Sequence, residues 1–439
     1  MHDPAVAVRS LILAAVCSIA PTWASAQAAA EPMPCPNGYP SDARCWAGVD
    51  AAGSHYNFAQ PAQWNGVLVV HAHGGPVLGQ PTAARGVEDL VRWSIIVRSG
   101  FAYAASVFRQ GGVTVSPAAE DTERVRALFV AQIGAPSRTL LHGQSWGAQV
   151  ATKAAEMFPR SWDGVLLTNG VLGGGTQSYD FRLDLRVVYQ AVCNNHPKPD
   201  EPAYPLWQGL PLESKLTRPE LAARVNECTG VALKPEARSA SQQKALDTVT
   251  QVIQIPASSL VAHLNFATWH FQDVAFKRAA GKPVFGNIGA VYKGSDDDAG
   301  LNQRVARYAT DAAALAAFAA DTDNSGNIRV PVLSSHAIKD PTAFVELENV
   351  LRDAMQRAGN GERLVNVFTN ESEHSYGSDA HYPTLFAALL GWLDRGAKPT
   401  PRSIADLCKS FETSFKSTCA FAPDYVLPTL ASRVTPRKR

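Results

Sequence analysis

The chain has 439 residues, 46% of them apolar and 18% charged, with a formal net charge of +1. It can therefore bury a large core, and it carries no bulk field that would gather nucleic acid or anionic lipid. The length allows one large domain with an insertion, or two domains, and the basic ending Pro436-Arg-Lys-Arg439 reads as a solvated tail.

Residues 1–26 read as an export signal. Arg9 precedes the apolar run Leu11 to Ala20, and Ala24-Ser25-Ala26 supplies the small-x-small pattern of a cleavage site. The run is about half of the roughly 20 residues that span a bilayer, so a cleaved signal is favoured over a stable membrane anchor. Lipidation at Cys17 is disfavoured by the bulky Val16 before it. The mature chain then begins near Gln27 and lives in the periplasm or outside the cell. Cysteine use agrees: Cys35, Cys45, Cys193, Cys228, Cys408 and Cys419 remain, and an even count in an exported chain favours disulfides. They fall into local pairs, 35 with 45, 193 with 228 and 408 with 419. No C-x-x-C spacing suggests zinc.

From Cys35 to Pro61 short apolar groups alternate with turn residues, as in an antiparallel hairpin entering a sheet. Asn65-Gly-Val-Leu-Val-Val-His-Ala-His-Gly-Gly-Pro76 is a strand buried on both faces that ends in a glycine-rich turn. Such a turn can aim a backbone N–H of Gly74 or Gly75 at a developing oxyanion, whereas Pro76 has no N–H to give. His71 and His73 are read as structural, with His73 fixing the loop. Phe101 to Phe108 predicts a strand. Ser116-Pro117 predicts the start of a helix with Val125, Leu128, Phe129 and Ile133 on one face.

Arg138 to Ala148 is the centre of the reading: an apolar run, then Gly143-x-Ser145-x-Gly147, then helical spacing. A serine exposed on a strained strand-to-helix elbow, with glycines permitting close approach, is a nucleophile candidate, and the Trp146 N–H beside it would be the second oxyanion donor. The buried run Gly164 to Asn169 completes an alternation of strand and helix that predicts a parallel sheet with helices on both faces.

On the His-Gly-Gly-Pro turn and Gly-Gln-Ser-Trp-Gly, the stretch Asn65 to Asn169 resembles the α/β-hydrolases. With the following Ala-Ala-Glu-Met-Phe-Pro it is also similar to proline iminopeptidases and tripeptidyl aminopeptidases, differing at Val77, where those peptidases carry another glycine. The resemblance implies an α/β-hydrolase fold, a mostly parallel sheet with a large helical cap insertion. The expected division is core at 27–170, cap at 171–327, core again at 328–397 and a C-terminal extension at 398–439.

Within the cap, Thr217-Arg-Pro-Glu220 is a capping box, Leu246, Val249 and Ile253 share a helix face, and Ala312 to Ala319 is alanine-rich. Tyr189, Trp207, Phe266, Trp269 and Phe271 are read as core ahead of a substrate pocket. Asp321-x-Asp323 opens like a calcium loop, but Val332 stands where the bidentate glutamate belongs, so a hydrogen-bonded turn is preferred. After the strand Ile328 to Ser335, Asp340-Pro341 sits where the fold implied by the resemblance carries its acid. After a helix and the strand Leu364 to Thr369 comes His374; His381, at the start of the last core helix, is read as a cap or surface residue.

The reading is an exported serine hydrolase with Ser145 as nucleophile, His374 as base, Asp340 as its orienting acid and Gly74 or Gly75 with Trp146 as oxyanion hole, using no metal or organic cofactor. Its expected partner is a small-molecule ester. A short peptide is the alternative: an aminopeptidase would need a carboxylate for the substrate amine, for which Asp180, Asp184 and Glu227 are available. A non-catalytic binding relative is the third possibility.

Overall fold

The computed structural model describes residues 29–437; the export-signal reading lies outside them. Nine strands form one sheet: β1 (Glu31–Met33), β2 (Arg44–Val49), β3 (His55–Gln60), β4 (Val67–Ala72), β5 (Ala102–Ser106), β6 (Arg138–Gln144), β7 (Gly164–Thr168), β8 (Val332–Ala337) and β9 (Leu364–Thr369). Their order is β1-β2-β3-β5-β4-β6-β7-β8-β9. The N-terminal strands pair antiparallel as far as β3 with β5, and every pairing from β5 to β9 is parallel.

Alternation along the strands assigns the two faces. In β4, Leu68, Val70 and Ala72 join a core with Val125 and Phe129 of the helix Ser116–Gln132, Val150 and Ala151 of Trp146–Met157, and Leu351 and Met355 of Glu348–Arg357. Val67 and Val69 point the other way, to Leu90, Ile95, Leu385 and Phe386 of the helices on the opposite face. Strands wrapped by helices on both sides must be largely apolar, which is why β4, β5 and β7 read as mostly apolar runs.

Between β7 and β8 the described chain is helical, with no strand. The helix Gly174–Cys193 crosses it, joined by Cys193–Cys228 to the helix Arg218–Thr229, whose capping box is formed by Thr217 and Glu220. The helix Ala240–Ile253 buries Leu246, Val249 and Ile253, and Tyr189 and Phe271 are fully buried, so these side chains are core. The other two disulfides join Cys35 to Cys45 and Cys408 to Cys419, and three such bonds suit an oxidising compartment. No described helix is long and apolar enough to cross a membrane. Past the helix Pro401–Phe415 the chain returns to the sheet edge, where the Asn370 N–H donates to Ala420 and the Ala422 N–H to Phe368.

Candidate active site

Ser145 stands between the end of β6 and the helix Trp146–Met157 with φ 56° and ψ −125°. A side chain with a Cβ resists that conformation, so the surroundings must impose it. The Ser145 N–H donates to Thr168 of β7 at 3.1 Å, and the Ser145 carbonyl accepts from Val171 at 3.0 Å and Ala148 at 3.0 Å. The elbow closes because its glycines touch backbone: a methyl on Gly147 would lie 2.0 Å from the Ala72 carbonyl oxygen, and one on Gly143 would lie 2.3 Å from that of Gly147. Ser145 is thereby held beyond the carboxyl ends of the parallel strands, where sheets of this kind carry their sites.

Asp340 lies on the turn after β8, and His374 on the loop after β9. His374 Nε2 is 2.8 Å from Ser145 Oγ, and His374 Nδ1 is 2.7 Å from Asp340 Oδ2. The other Asp340 oxygen accepts the N–H groups of Thr342 at 2.7 Å and Ala343 at 3.0 Å. Burial opposes the Asp340 charge, but His374 and the hydrogen bonds of His336 and His374 outweigh it, holding the carboxyl down to about 2. The histidine loop is itself anchored: the His374 carbonyl accepts from Gln144 Nε2 at 2.9 Å and from Asn169 Nδ2 at 3.0 Å.

An antiparallel entry, the crossing of β4 and β5, a serine elbow after β6, an acid after β8 and a histidine after β9 together decide the architecture. The fold is that of the α/β-hydrolases. Neither a family model nor a curated protein matches the chain. Among solved structures it is similar to an esterase from Aspergillus oryzae, at 11% identity and a TM-score of 0.45 over 84% of this chain and 86% of that one. A hormone-sensitive lipase from a metagenome library matches at 10% identity and a TM-score of 0.38, over 85% and 87% of the two chains. Puromycin hydrolase matches at 14% and 0.37, over 82% of this chain and 40% of that chain. Likeness at this level does not bear on substrate.

The glycine turn after β4 lies against the elbow: a methyl on Gly74 would be 3.3 Å from Ser145 Cβ and 2.6 Å from Gln144 Oε1. His73 holds the turn, with Nδ1 2.7 Å from the Gly74 carbonyl and its ring stacked on Phe108 at 4.2 Å. His71 is buried beneath the sheet beside His142, their Nδ1 atoms 3.0 Å apart, and burial pushes its basicity far down. The Trp146 N–H opens a helix and has no acceptor within it. A cavity of about 190 Å³, bounded by Gly75, Pro76, Phe108, Thr114 and Trp146, adjoins this side of the elbow.

Three contributors were not visible as site residues in the sequence. Gln144 and Asn169 fix the histidine loop, and Asn169 also accepts the Ala337 N–H at 2.8 Å, tying β7 to the acid turn. The third is His336, fully buried in β8. Its Nδ1 faces Glu348 Oε1 at 2.8 Å, and its Nε2 faces the Ala343 carbonyl at 3.0 Å with Asp340 Oδ2 at 3.6 Å. Burial pulls its pKa down, but the Asp340 and Glu348 carboxylates more than reverse this and lift it to about 10. The available signal was a histidine inside a strand buried along its whole length, four residues before the acid.

Other candidates lie elsewhere. Asp184 is buried in a 2.6 Å pair with Arg437 and accepts from Tyr292. Asp180 borders a groove made with the C-terminal segment, and Glu227 is exposed; none of the three lines the cavity beside the elbow. His381 is a buried residue and not a surface one: its Nε2 accepts the Ala420 N–H at 3.1 Å, because the C-terminal segment folds over it. Asp321 and Asp323 are long-range helix caps. Asp321 accepts the N–H groups of Val115 and Ser116, and Asp323 accepts the N–H and hydroxyl of Thr176. Among the described residues no group of three or more His, Cys, Asp or Glu is arranged to hold a metal ion.

Proposed function

We propose that the chain is an exported serine hydrolase that cleaves carboxylic esters through an acyl-enzyme. The observation that carries this reading is the continuous relay from Asp340 through His374 to Ser145, at 2.7 and 2.8 Å, with the serine in a strained elbow. Ser145 Oγ attacks the ester carbon while His374 Nε2 takes its proton. The tetrahedral oxyanion is met by the N–H of Trp146 and that of Gly74 or Gly75. Collapse expels the alcohol, which takes the proton from His374, and water repeats the sequence on the acyl-enzyme to release the acid. Asp340 stays ionised, holds the tautomer with Nδ1–H directed at itself, and stabilises the imidazolium.

Residues 27–170 and 328–397 are the proposed core, 171–327 its cap and 398–439 an extension. The disulfides support export, with the cleaved signal at 1–26. Ser145→Ala should abolish turnover of 4-nitrophenyl esters while melting temperature is kept; substantial residual activity in folded protein would overturn the assignment. Aminoacyl nitroanilides run beside the esters separate the peptidase alternative, and hydrolysis of the anilides alone would replace this reading.

A further inference from the structure

The helix Gly174–Cys193 carries a guanidinium that the relay does not use. Arg182 is 4% exposed. Among the described residues its only hydrogen bond runs from Nη1 to the Ser178 carbonyl one turn back, at 3.0 Å. Nε is buried with no acceptor, and among the described residues no carboxylate pairs with the group. Two residues on, Asp184 has its arginine partner; four residues on, Arg186 spends both Nη atoms on His196 and Tyr204. A buried cation without a counter-charge is costly to fold, so its retention calls for a use.

Position supplies one. The guanidinium carbon sits 4.5 Å over the ring of Tyr179, 4.7 Å over Phe266 and 4.9 Å over Phe181, an aromatic clasp that holds a cation while excluding water. Two of these rings connect to residues flanking the relay. Tyr179 stands edge-on to Trp146, next to the nucleophile, with centroids 6.1 Å apart. Phe181 packs against His263 at 5.1 Å, and His263 Nε2 donates to the carbonyl of Pro341, next to the acid, at 2.8 Å. His263 feels both groups: burial first and the Arg182 charge second depress it to about 3, while Asp340 pulls the other way. Phe266 also opens a widened helical turn, Phe266–His270, a departure from regular geometry that is frequent at functional sites.

The unused edge of the guanidinium has a definite shape. With Nη1 committed to Ser178, the Nε–H and Nη2–H are left as two parallel donors, which match the two oxygens of a carboxylate. We infer that Arg182 determines the specificity of this site, and that the favoured ester carries an ionised carboxylate received by that edge. The inference rests on the esterase reading above and narrows it to acidic esters.

The test compares mono-4-nitrophenyl glutarate with 4-nitrophenyl valerate, which have equal acyl length and differ by the carboxylate. Wild-type kcat/KM should favour the glutarate by about tenfold or more, the scale of a charge-assisted bidentate contact. Arg182→Gln should lower kcat/KM for the glutarate at least about tenfold and leave the valerate within about threefold; Arg182→Lys, which keeps the charge but lacks the fork, should fall between. Equal wild-type rates on the two esters, or an equal loss on both in the variants, would overturn the inference, the second by assigning Arg182 a packing role. If Arg182→Gln does not fold, Arg182→Lys carries the comparison. If neither ester is cleaved the esterase reading fails separately, and calorimetry of monomethyl glutarate on Ser145→Ala protein then decides. Binding weakened by adding Arg182→Lys supports the carboxylate site, and absent or unchanged binding refutes it.

Discussion

Replacing His336 with glutamine should remove a specific slice of the pH dependence of stability. Both ring nitrogens of His336 face acceptors, Glu348 Oε1 at 2.8 Å and the Ala343 carbonyl at 3.0 Å, and only a doubly protonated imidazolium can donate to both. Glu348 is completed by Ser334 Oγ at 2.9 Å and Asn366 Nδ2 at 2.7 Å, so the charge pair is fully built into the core below Asp340. With the imidazolium pKa raised from 6.5 to about 10, the folded state binds this proton more tightly than the unfolded chain. The stabilisation is therefore complete below pH 6.5 and is lost as pH rises through 10. At about 1.4 kcal/mol per unit the whole effect is about 5 kcal/mol, with about 4 present at pH 7 and little left at pH 10. Urea unfolding followed by tryptophan fluorescence, at pH 7 and pH 10 on wild type and His336→Gln, isolates it. The wild type should lose about 3 to 4 kcal/mol more than the variant between the two pH values. The same loss in both proteins would refute the buried imidazolium.

Asp340→Asn should keep the fold and lower kcat about 10⁴-fold, because the amide cannot hold the productive tautomer, measured on any ester that the wild type turns over. Gly147→Ala drives a methyl to 2.0 Å from the Ala72 carbonyl oxygen, so the elbow must open; thermal melting should show at least about 1 to 3 kcal/mol of loss together with lost activity. Asp321→Ala removes the acceptor for Val115 and Ser116 and should cost about 1 to 2 kcal/mol in denaturant titration, with kcat unchanged.

What was legible in the sequence was local. A strand buried on both faces, a glycine-flanked serine and a capping box are written in adjacent residues, and the last core strand was read at its observed limits, Leu364–Thr369. The separation of Ser145, Asp340 and His374 by whole strands and helices made their convergence an expectation that only topology could deliver. What stayed hidden was the pairing of residues far apart in the chain. Asp321 looked like part of a turn because its partners lie about two hundred residues earlier. His381 looked exposed because the segment that covers it follows much later. His336 and Glu348 are unremarkable until helix and strand meet, and the isolation of Arg182 can be judged only when every carboxylate has a place.

The central claim is that Ser145 is an activated nucleophile. Incubating the folded protein with a fluorophosphonate and mapping the adduct by peptide mass spectrometry tests it most directly. The relay predicts one adduct, on Ser145, lost in His374→Ala protein that still melts cooperatively. Failure to label, or labelling of another serine while Ser145 stays unmodified, would contradict it.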